Sequence, residues 1–460
     1  MKDERSENVH PSSLISSPLR VVYLAAGAAG MYCGSCLHDN TLAAALIEAG
    51  HDVLLVPTYT PLRTDEPDVS IRRMFFGGIN VYLQQKSAIF RHTPWLVDTL
   101  FDSPSLINLV AHGGPSVEAE KLGDLTVSML AGKDGNQRKE LEKLTYWLMH
   151  DARPDIVHLS NSIFVGVAEP IRALGIPVVC TLSGEDLFLE KLPPPHYDEA
   201  RRLLREQSRH VSAFVAMNGY YADFMADYLS VPRERVHVIP HGLKLDGHGS
   251  RGPSSPNGVR TIGYLARICP EKGLHLLVAA FEQLVKDQQL PPLRLRVAGY
   301  LGDLDKPYFE KILERVRSWK RPERFEHVGE VDRAGKITFL QSLDVLSVPT
   351  VYRESKGLSA LEALANAVPV VLPDHGTFPE LIADTGGGLL HEPDNSTALA
   401  AALKVLLVDA ELADALGRSG QHAIHDRYHA AGMAEKTARL YRQLLLSGLD
   451  PNGVGERARG

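Results

Sequence analysis

Two doubly wound α/β domains facing each other across a cleft are predicted for this chain of 460 residues, and three observations predict them. A strand–glycine loop–helix–strand series opens at residue 19. A second series of the same kind opens at residue 259. Between them, DGHGSRGPSSPNG (246–258) has the composition of a linker or long surface loop. Apolar strand-like runs alternating with helical ones mark a parallel sheet covered on both faces. Such sheets bind ligands beyond the carboxyl ends of their strands, and two of them side by side suggest hinge closure. The expected domains are 19–245 and 259–428, with a helix over 429–448 returning to brace the first.

The elements follow in order. LRVVYLAA (19–26) reads as a buried strand, followed by a glycine-rich loop (27–34), a helix ending near Ala49–Gly50, and the strand HDVLLVPT (51–58). Residues 61–120 are less regular, with a hairpin expected in RRMFFGGINVYLQQ (72–85). A helix over 136–151 leads to the strand DIVHLS (155–160), then PVVCTLS (177–183), a helix over 198–209, VSAFVAMN (211–218) and RVHVIPHG (235–242). In the second half, strands are expected at VRTIGYLA (259–266), LRLRVAGY (293–300), FEHVGEV (325–331), DVLSVP (344–349) and VPVVLP (368–373). Helices are expected over 274–287, 333–342, 357–367, 396–411 and 429–447.

Composition excludes several classes. The chain is 44% hydrophobic and 23% charged, as an ordinary globular protein is. A net charge of −7 argues against a nucleic-acid scaffold, while a small anionic ligand needs only a local basic patch. Four cysteines make no disulfide framework and point to a reducing, cytoplasmic setting. The first 18 residues lack the apolar core of a signal peptide, and no run of about 18 apolar residues suggests a membrane span. Peripheral membrane contact is left open without support, because acids interleave with the arginines of DEARRLLREQSRH (198–210) and apolar anchors are few.

The most informative stretch is YRESKGLSALEALANAVP (352–369). Gly357 sits where a strand passes into a helix, allowing close backbone approach to a ligand. The free N–H groups after it, from Leu358 onward, can hold an anion such as a diphosphate. Glu354 and Glu362 flank that turn and can accept hydrogen bonds from hydroxyls. Together they suggest a site for a nucleotide joined through phosphates to a polyol. Arg267 and Lys272 follow another strand, and a guanidinium and an ammonium both suit phosphoryl oxygens. Pairing with Glu271 is the alternative. In the first half, GAAGMYCGSCLHDN (27–40) offers Gly30 or Gly34 for close approach to an acceptor or donor phosphate. Cys33 and Cys36 in that loop read as structural thiols, a redox pair or part of a metal site. His38 serves an acceptor or joins the cysteines as a ligand.

Three ordered patterns in the second half resemble glycosyltransferase family four, the retaining GT-B enzymes built from two Rossmann-like domains. These are GYLARICPEKG (263–273), the Glu354…Glu362 segment, and PDHGTFPELIADTGGGLL (373–390). The phrase EAGHDV (48–53) and the hinge-like VIPHG (238–242) extend the resemblance over residues 20–430. It implies that Arg267 and Lys272 help a nucleoside diphosphate to leave, that Glu362 holds ribose hydroxyls, and that Glu354 approaches the donor sugar and reacting centre. The backbone at Gly357 and Leu358 would meet the phosphates. Gly263 and Tyr264 would lie near them, although packing suits Tyr264 equally. His375 and Gly376 would border the donor sugar or base, and Glu380 would touch ligand or only start a helix. Lys356 stands where the family often has an aromatic residue or glycine, and adds a phosphate contact or lies exposed.

PVVCTLSGEDLFLE (177–190) is similar to the family's V-x-T-x-H-G-x-D, with Asp186 matching the aspartate and Ser183 replacing the histidine. Gly184 follows in the same turn. Serine is no base at neutral pH. His158 either substitutes in part or packs behind the cleft. The resemblance implies a hexosyltransferase-like enzyme (EC 2.4) moving a sugar from a nucleotide sugar to a hydroxyl acceptor. No metal or other cofactor is implied, since Arg267 and Lys272 supply positive charge, and magnesium is optional. A sugar-phosphate synthase or phosphorylase and a non-catalytic sugar-nucleotide-binding protein are the rival readings.

Overall fold

A computed structural model describes residues 17–27, 34–71, 75, 122–252 and 258–447. Strands β1 (Arg20–Ala25), β2 (Asp52–Pro57), β3 (Ile156–Leu159), β4 (Val178–Thr181), β5 (Ala213–Ala216) and β6 (Val236–Val238) form one sheet in the order β2-β1-β3-β4-β5-β6. Strands β7 (Arg260–Leu265), β8 (Leu293–Ala298), β9 (Phe325–Gly329), β10 (Val345–Leu346), β11 (Val370–Pro373) and β12 (Gly388–His391) form the other, ordered β12-β11-β10-β7-β8-β9. The strand pairs of both sheets are parallel. This is the doubly wound α/β pair expected. Strand order reverses between β1 and β3 in the first sheet and between β7 and β10 in the second, which places a crevice at each switch.

Side chains alternate across β1. Val21, Tyr23 and Ala25 enter one core, whereas Val22 and Leu24 enter another on the opposite face. The first face is closed by helix α1 (Gly34–Glu48) and by the helix Ala430–Ser447, which sends Met433, Ala434, Ala438 and Tyr441 into the same core as Tyr23. The chain thus crosses between the domains twice. The two crossings pair with each other: Leu243 N–H donates to Tyr428 O at 2.7 Å, and Ala430 N–H to Leu243 O at 2.9 Å.

Some elements differ from expectation. The strand sought at 344–349 is confined to Val345–Leu346; the Ser347 N–H still donates to Gly263 O at 2.9 Å, and the chain then turns, with Thr350 N–H donating to Val348 O at 2.9 Å. Strand β12 and the helices Gly219–Leu229, Lys306–Arg317 and Ala410–Arg427 were not anticipated. Two of these had readable caps: Asn218 accepts the Tyr221 N–H, and Asp409 accepts the Leu412 N–H. The hairpin expected at 72–85 falls outside the described residues, Phe75 apart.

Candidate active site

A cavity of about 450 Å³ opens at the β7/β10 switch and takes its walls from both domains, within the size of small-molecule sites. From the second domain come Arg267 and Lys272 after β7, Glu354, Lys356 and Leu358 after β10, and Glu362 one turn along the helix that Leu358 begins. The first domain supplies Gly34, Ser35, Ser183 and Gly184. Residues far apart in the chain therefore meet because the loops that follow adjacent strands share one end of the sheet.

Glu354 is the most elaborately held of these groups. Its Oε2 accepts from Lys272 Nζ at 2.6 Å and from the Tyr352 hydroxyl at 2.6 Å. Its Oε1 accepts the Ser355 and Lys356 amides, both at 3.2 Å. Burial alone raises such a carboxyl, but the Lys272 ammonium, the Tyr352 hydroxyl and the Lys356 amide hold it at about 2. Gly376 makes this geometry attainable: it has φ +63°, and a Cβ there would lie 2.6 Å from both the Glu354 N and O. Lys272 also donates to Tyr352 Oη at 2.5 Å. An ammonium has three hydrogens, so one remains for a ligand in the cavity.

Glu362 lies on helix α2 (Leu358–Ala365) and is 5% exposed. Its Oε1 pairs with Lys336 Nζ at 2.5 Å. Lys336 belongs to helix α3 (Arg333–Gln341), is 8% exposed, and also pairs at 2.5 Å with Asp65 of the first domain. Burial raises the Glu362 carboxyl and Lys336 opposes that rise. Asp65, Lys336, Tyr352 and Ser35 are cavity-wall residues that sequence reasoning did not find.

On the facing wall, Lys356 Nζ reaches across to Ser35 Oγ at 2.6 Å, at the start of α1. Ser183 donates its Oγ–H to Ser160 O at 3.4 Å. Its amide is fixed by buried Glu185, which accepts the Ser183 N–H at 2.6 Å and the Ser162 N–H at 2.8 Å.

Several expected site residues lie elsewhere. Asp186 does not line the cavity: Gly184, at φ +92°, turns the chain so that Asp186 accepts the Tyr221 hydroxyl at 2.6 Å instead. His158 is fully buried behind the cleft, bonded to Tyr441 Oη at 2.5 Å and Thr181 Oγ1 at 2.7 Å and stacked on Tyr23. His38 is buried against His241, with their Nδ1 atoms 2.9 Å apart. Tyr264 points into the second domain's core and gives its hydroxyl to Arg267 O at 3.2 Å. Gly263 is set against Leu343, whose side chain would lie 2.1 Å from an added Cβ. His375 bonds Thr350 O at 3.0 Å and, with Gly376, backs the Glu354 loop rather than lining the cavity. Gly357 starts α2 with φ +66° just behind the wall. Gly30 and Cys33 lie outside the described residues.

Cys36 and Cys180 are buried, and Cys269 accepts from Arg267 Nε at 3.4 Å. Among the described residues no three His, Cys, Asp or Glu side chains converge as a metal site, and no helix is long and apolar enough to cross a membrane. On the basic helix, Arg202 is paired with Glu199 and Glu206, and Arg201 stacks on Tyr228.

Two parallel six-stranded sheets sharing a cleft define the GT-B class of glycosyltransferases. Solved structures with this architecture include sucrose-phosphate synthase from Thermosynechococcus elongatus, with a TM-score of 0.69 and 18% identity over 93% of this chain and 100% of that one. Another is Anabaena HepE in complex with UDP and glucose, with a TM-score of 0.62 and 16% identity over 92% and 99%. The model described as Glycosyltransferase Family 4 matches residues 107–246, and that described as Glycosyl transferases group 1 matches residues 250–423. The chain belongs to the family-four glycosyltransferases. It is 26% identical to the alpha-maltose-1-phosphate synthase of Mycolicibacterium smegmatis, over 80% of this chain and 96% of that protein. It is 30% identical to the phosphatidyl-myo-inositol mannosyltransferase of Mycobacterium leprae, over 46% of this chain and only 54% of that protein's length.

Proposed function

We propose that this glycosyltransferase is a retaining enzyme that moves a hexose from a nucleoside-diphosphate sugar to a hydroxyl acceptor. The observation that carries the reading is the Lys272–Glu354 pair, which stands at the strand-order switch beside Arg267. The N-terminus of α2 suits the diphosphate, with Arg267 and the remaining Lys272 hydrogen neutralising its charge. Glu362 suits the ribose hydroxyls, and its Oε2 has no protein donor among the bonds described for that residue. The hexose then lies towards Glu354 and the Ser183–Gly184 turn. The C–O bond to the leaving phosphate breaks as the acceptor oxygen approaches the same face of the sugar. The leaving phosphate takes the acceptor proton. Fixed charges supply the stabilisation, so a histidine at position 183 is dispensable. Positive side chains at the cleft support a reaction without an essential metal, with magnesium optional. A cytoplasmic setting suits such a donor.

Titration calorimetry with UDP, GDP, ADP, CDP and dTDP and their hexose conjugates, with and without magnesium, tests the reading. Saturable binding of one nucleotide series, lost in Glu362→Ala, is expected. Binding of none overturns it. The anomeric configuration of the product, read by NMR, tests retention separately.

A second reading, a sugar-phosphate synthase or phosphorylase, is favoured by Lys356. This half-buried ammonium faces the acceptor side with a hydroxyl as its described partner. A phosphate on the acceptor, or inorganic phosphate itself, would supply the missing anion. A rise in acceptor KM in Lys356→Ala, for phosphorylated acceptors only, distinguishes this reading from transfer to neutral sugars.

A further inference from the structure

We propose that Lys336 is a positioning residue for the nucleotide, which keeps Glu362 ionised and ties it to Asp65 of the opposite domain. This inference rests on the nucleotide-sugar reading above and adds a residue and a linkage to it.

The geometry is a carboxylate–ammonium–carboxylate bridge with both contacts at 2.5 Å. All three side chains line the cavity. Lys336 and Glu362 belong to the second domain, whereas Asp65 reaches them from the loop after β2. The same loop makes two further cross-domain pairs, Arg63 to Glu330 at 2.8 Å and Glu66 to Arg333 at 3.7 Å. Contact of this loop with the second domain therefore places Asp65 against Lys336.

A ribose diol gives two hydrogens, and only an ionised carboxylate can accept both freely. Buried as it is, Glu362 would take up a proton if its cation were removed. The other charged or titratable groups facing the bridge are Arg333, Glu66, His248 and His241. Burial and nearby cations depress both histidines, to about 4 for His248 and about 3 for His241, so neither supplies the missing charge near neutrality. Arg333 is engaged by the carbonyls of Lys244 and Asp246 and by Glu66. Lys336 is thus the cation in direct contact with Glu362.

The test takes the nucleoside diphosphate that wild type binds among UDP, GDP, ADP, CDP and dTDP and measures its affinity from pH 6 to 9 in wild type and Lys336→Met, each checked for folding by thermal melting. The expected result is a variant-to-wild-type Kd ratio of about tenfold or more at pH 6.5, shrinking towards unity by pH 9 as Glu362 ionises without help. Lys336→Arg is expected to restore a flat ratio near unity. Asp65→Asn is expected to weaken binding in wild type, where Asp65 holds the lysine, and to leave binding unchanged or improve it in Lys336→Met, where the Asp65 charge alone would raise Glu362. A ratio constant across pH overturns the proposal, because a merely structural lysine would shift all pH values alike. Additive effects of Asp65→Asn and Lys336→Met overturn the linkage. Lys336→Gln carries the same test if the Met variant does not fold. Failure of wild type to bind any of these nucleotides defeats the donor reading and this proposal with it, whereas a flat ratio defeats this proposal alone.

Discussion

Glu380 caps the helix that begins at Gly219 on the opposite domain: its carboxylate accepts the Gly219 N–H at 2.8 Å and the Tyr220 N–H at 2.9 Å. An acid at a helix N-terminus satisfies orphan amides and meets the positive end of the dipole. Here it also fastens the two domains. The neighbouring Asn218 side chain donates to Ser355 O at 2.7 Å, so the helix start is anchored beside the candidate catalytic loop.

Loss of that cap should be small in energy and visible in cooperativity. Glu380→Ala is expected to cost about 1 kcal/mol, and Glu380→Gln, which keeps one acceptor, less. Differential scanning calorimetry should show the single transition broadening towards two. An unchanged profile would mean that the remaining contacts hold the domains together unaided.

Removal of Lys272 should damage the fold as well as turnover. The buried Glu354 would be left without its cation, a situation that costs about 3–5 kcal/mol. Pairing Lys272→Ala with Glu354→Gln is expected to recover most of the melting temperature and none of the activity. Thermal denaturation and donor turnover, measured on the two single variants and the double, separate the roles.

Two glycines around the same loop should respond unequally. Gly357→Ala meets only the left-handed backbone cost of about 1–2 kcal/mol, since its new methyl would find neighbours at 3.4 Å. Gly376→Ala adds a collision with the Glu354 backbone at 2.6 Å. Activity should therefore fall further in Gly376→Ala than in Gly357→Ala at matched residual stability, and steady-state kinetics on folded protein decides it.

Acid should destabilise the molecule in a defined window. His158 and His241 are each held down to about 3, chiefly by burial, and buried His38 lies well below its ordinary value too. Above pH 6.5 these groups are neutral folded or unfolded, and contribute no pH dependence. Below it the unfolded chain gains protons that the folded chain refuses, so stability falls until about pH 3. The slope is at most about 1.4 kcal/mol per pH unit for each histidine. Urea midpoints at pH 7.5, 5.5 and 4.5 should decline in wild type and decline less in the His38→Phe/His241→Phe variant.

Much of the cleft could be read from the chain because its chemistry is local. Arg267 and Lys272 share one loop, and Glu354 and Glu362 straddle one turn, so spacing alone brings each pair near a strand end. The bridge of Asp65, Lys336 and Glu362 has no local signature, since its members come from different domains and meet only when the chain is folded. His158 and Tyr264 each had two readings, cleft or packing, and the structure takes the packing one. Each stands near a strand end, yet both sheets are covered on both faces, so these side chains enter packed cores instead of the cleft. Asp186 was displaced by a backbone turn at Gly184, which spacing cannot report.

The helix over Ala430–Ser447 bears on how the molecule is made. His158 in the first sheet takes one of its two hydrogen bonds from Tyr441, and Tyr23 packs in a core that this helix closes. During translation those partners emerge only after the whole second domain has left the ribosome. The first domain is begun first and completed last. Until those partners emerge, α1 is the only one of the two helices available to cover that face of the first sheet, and the bridge between Leu243 and His429 cannot form.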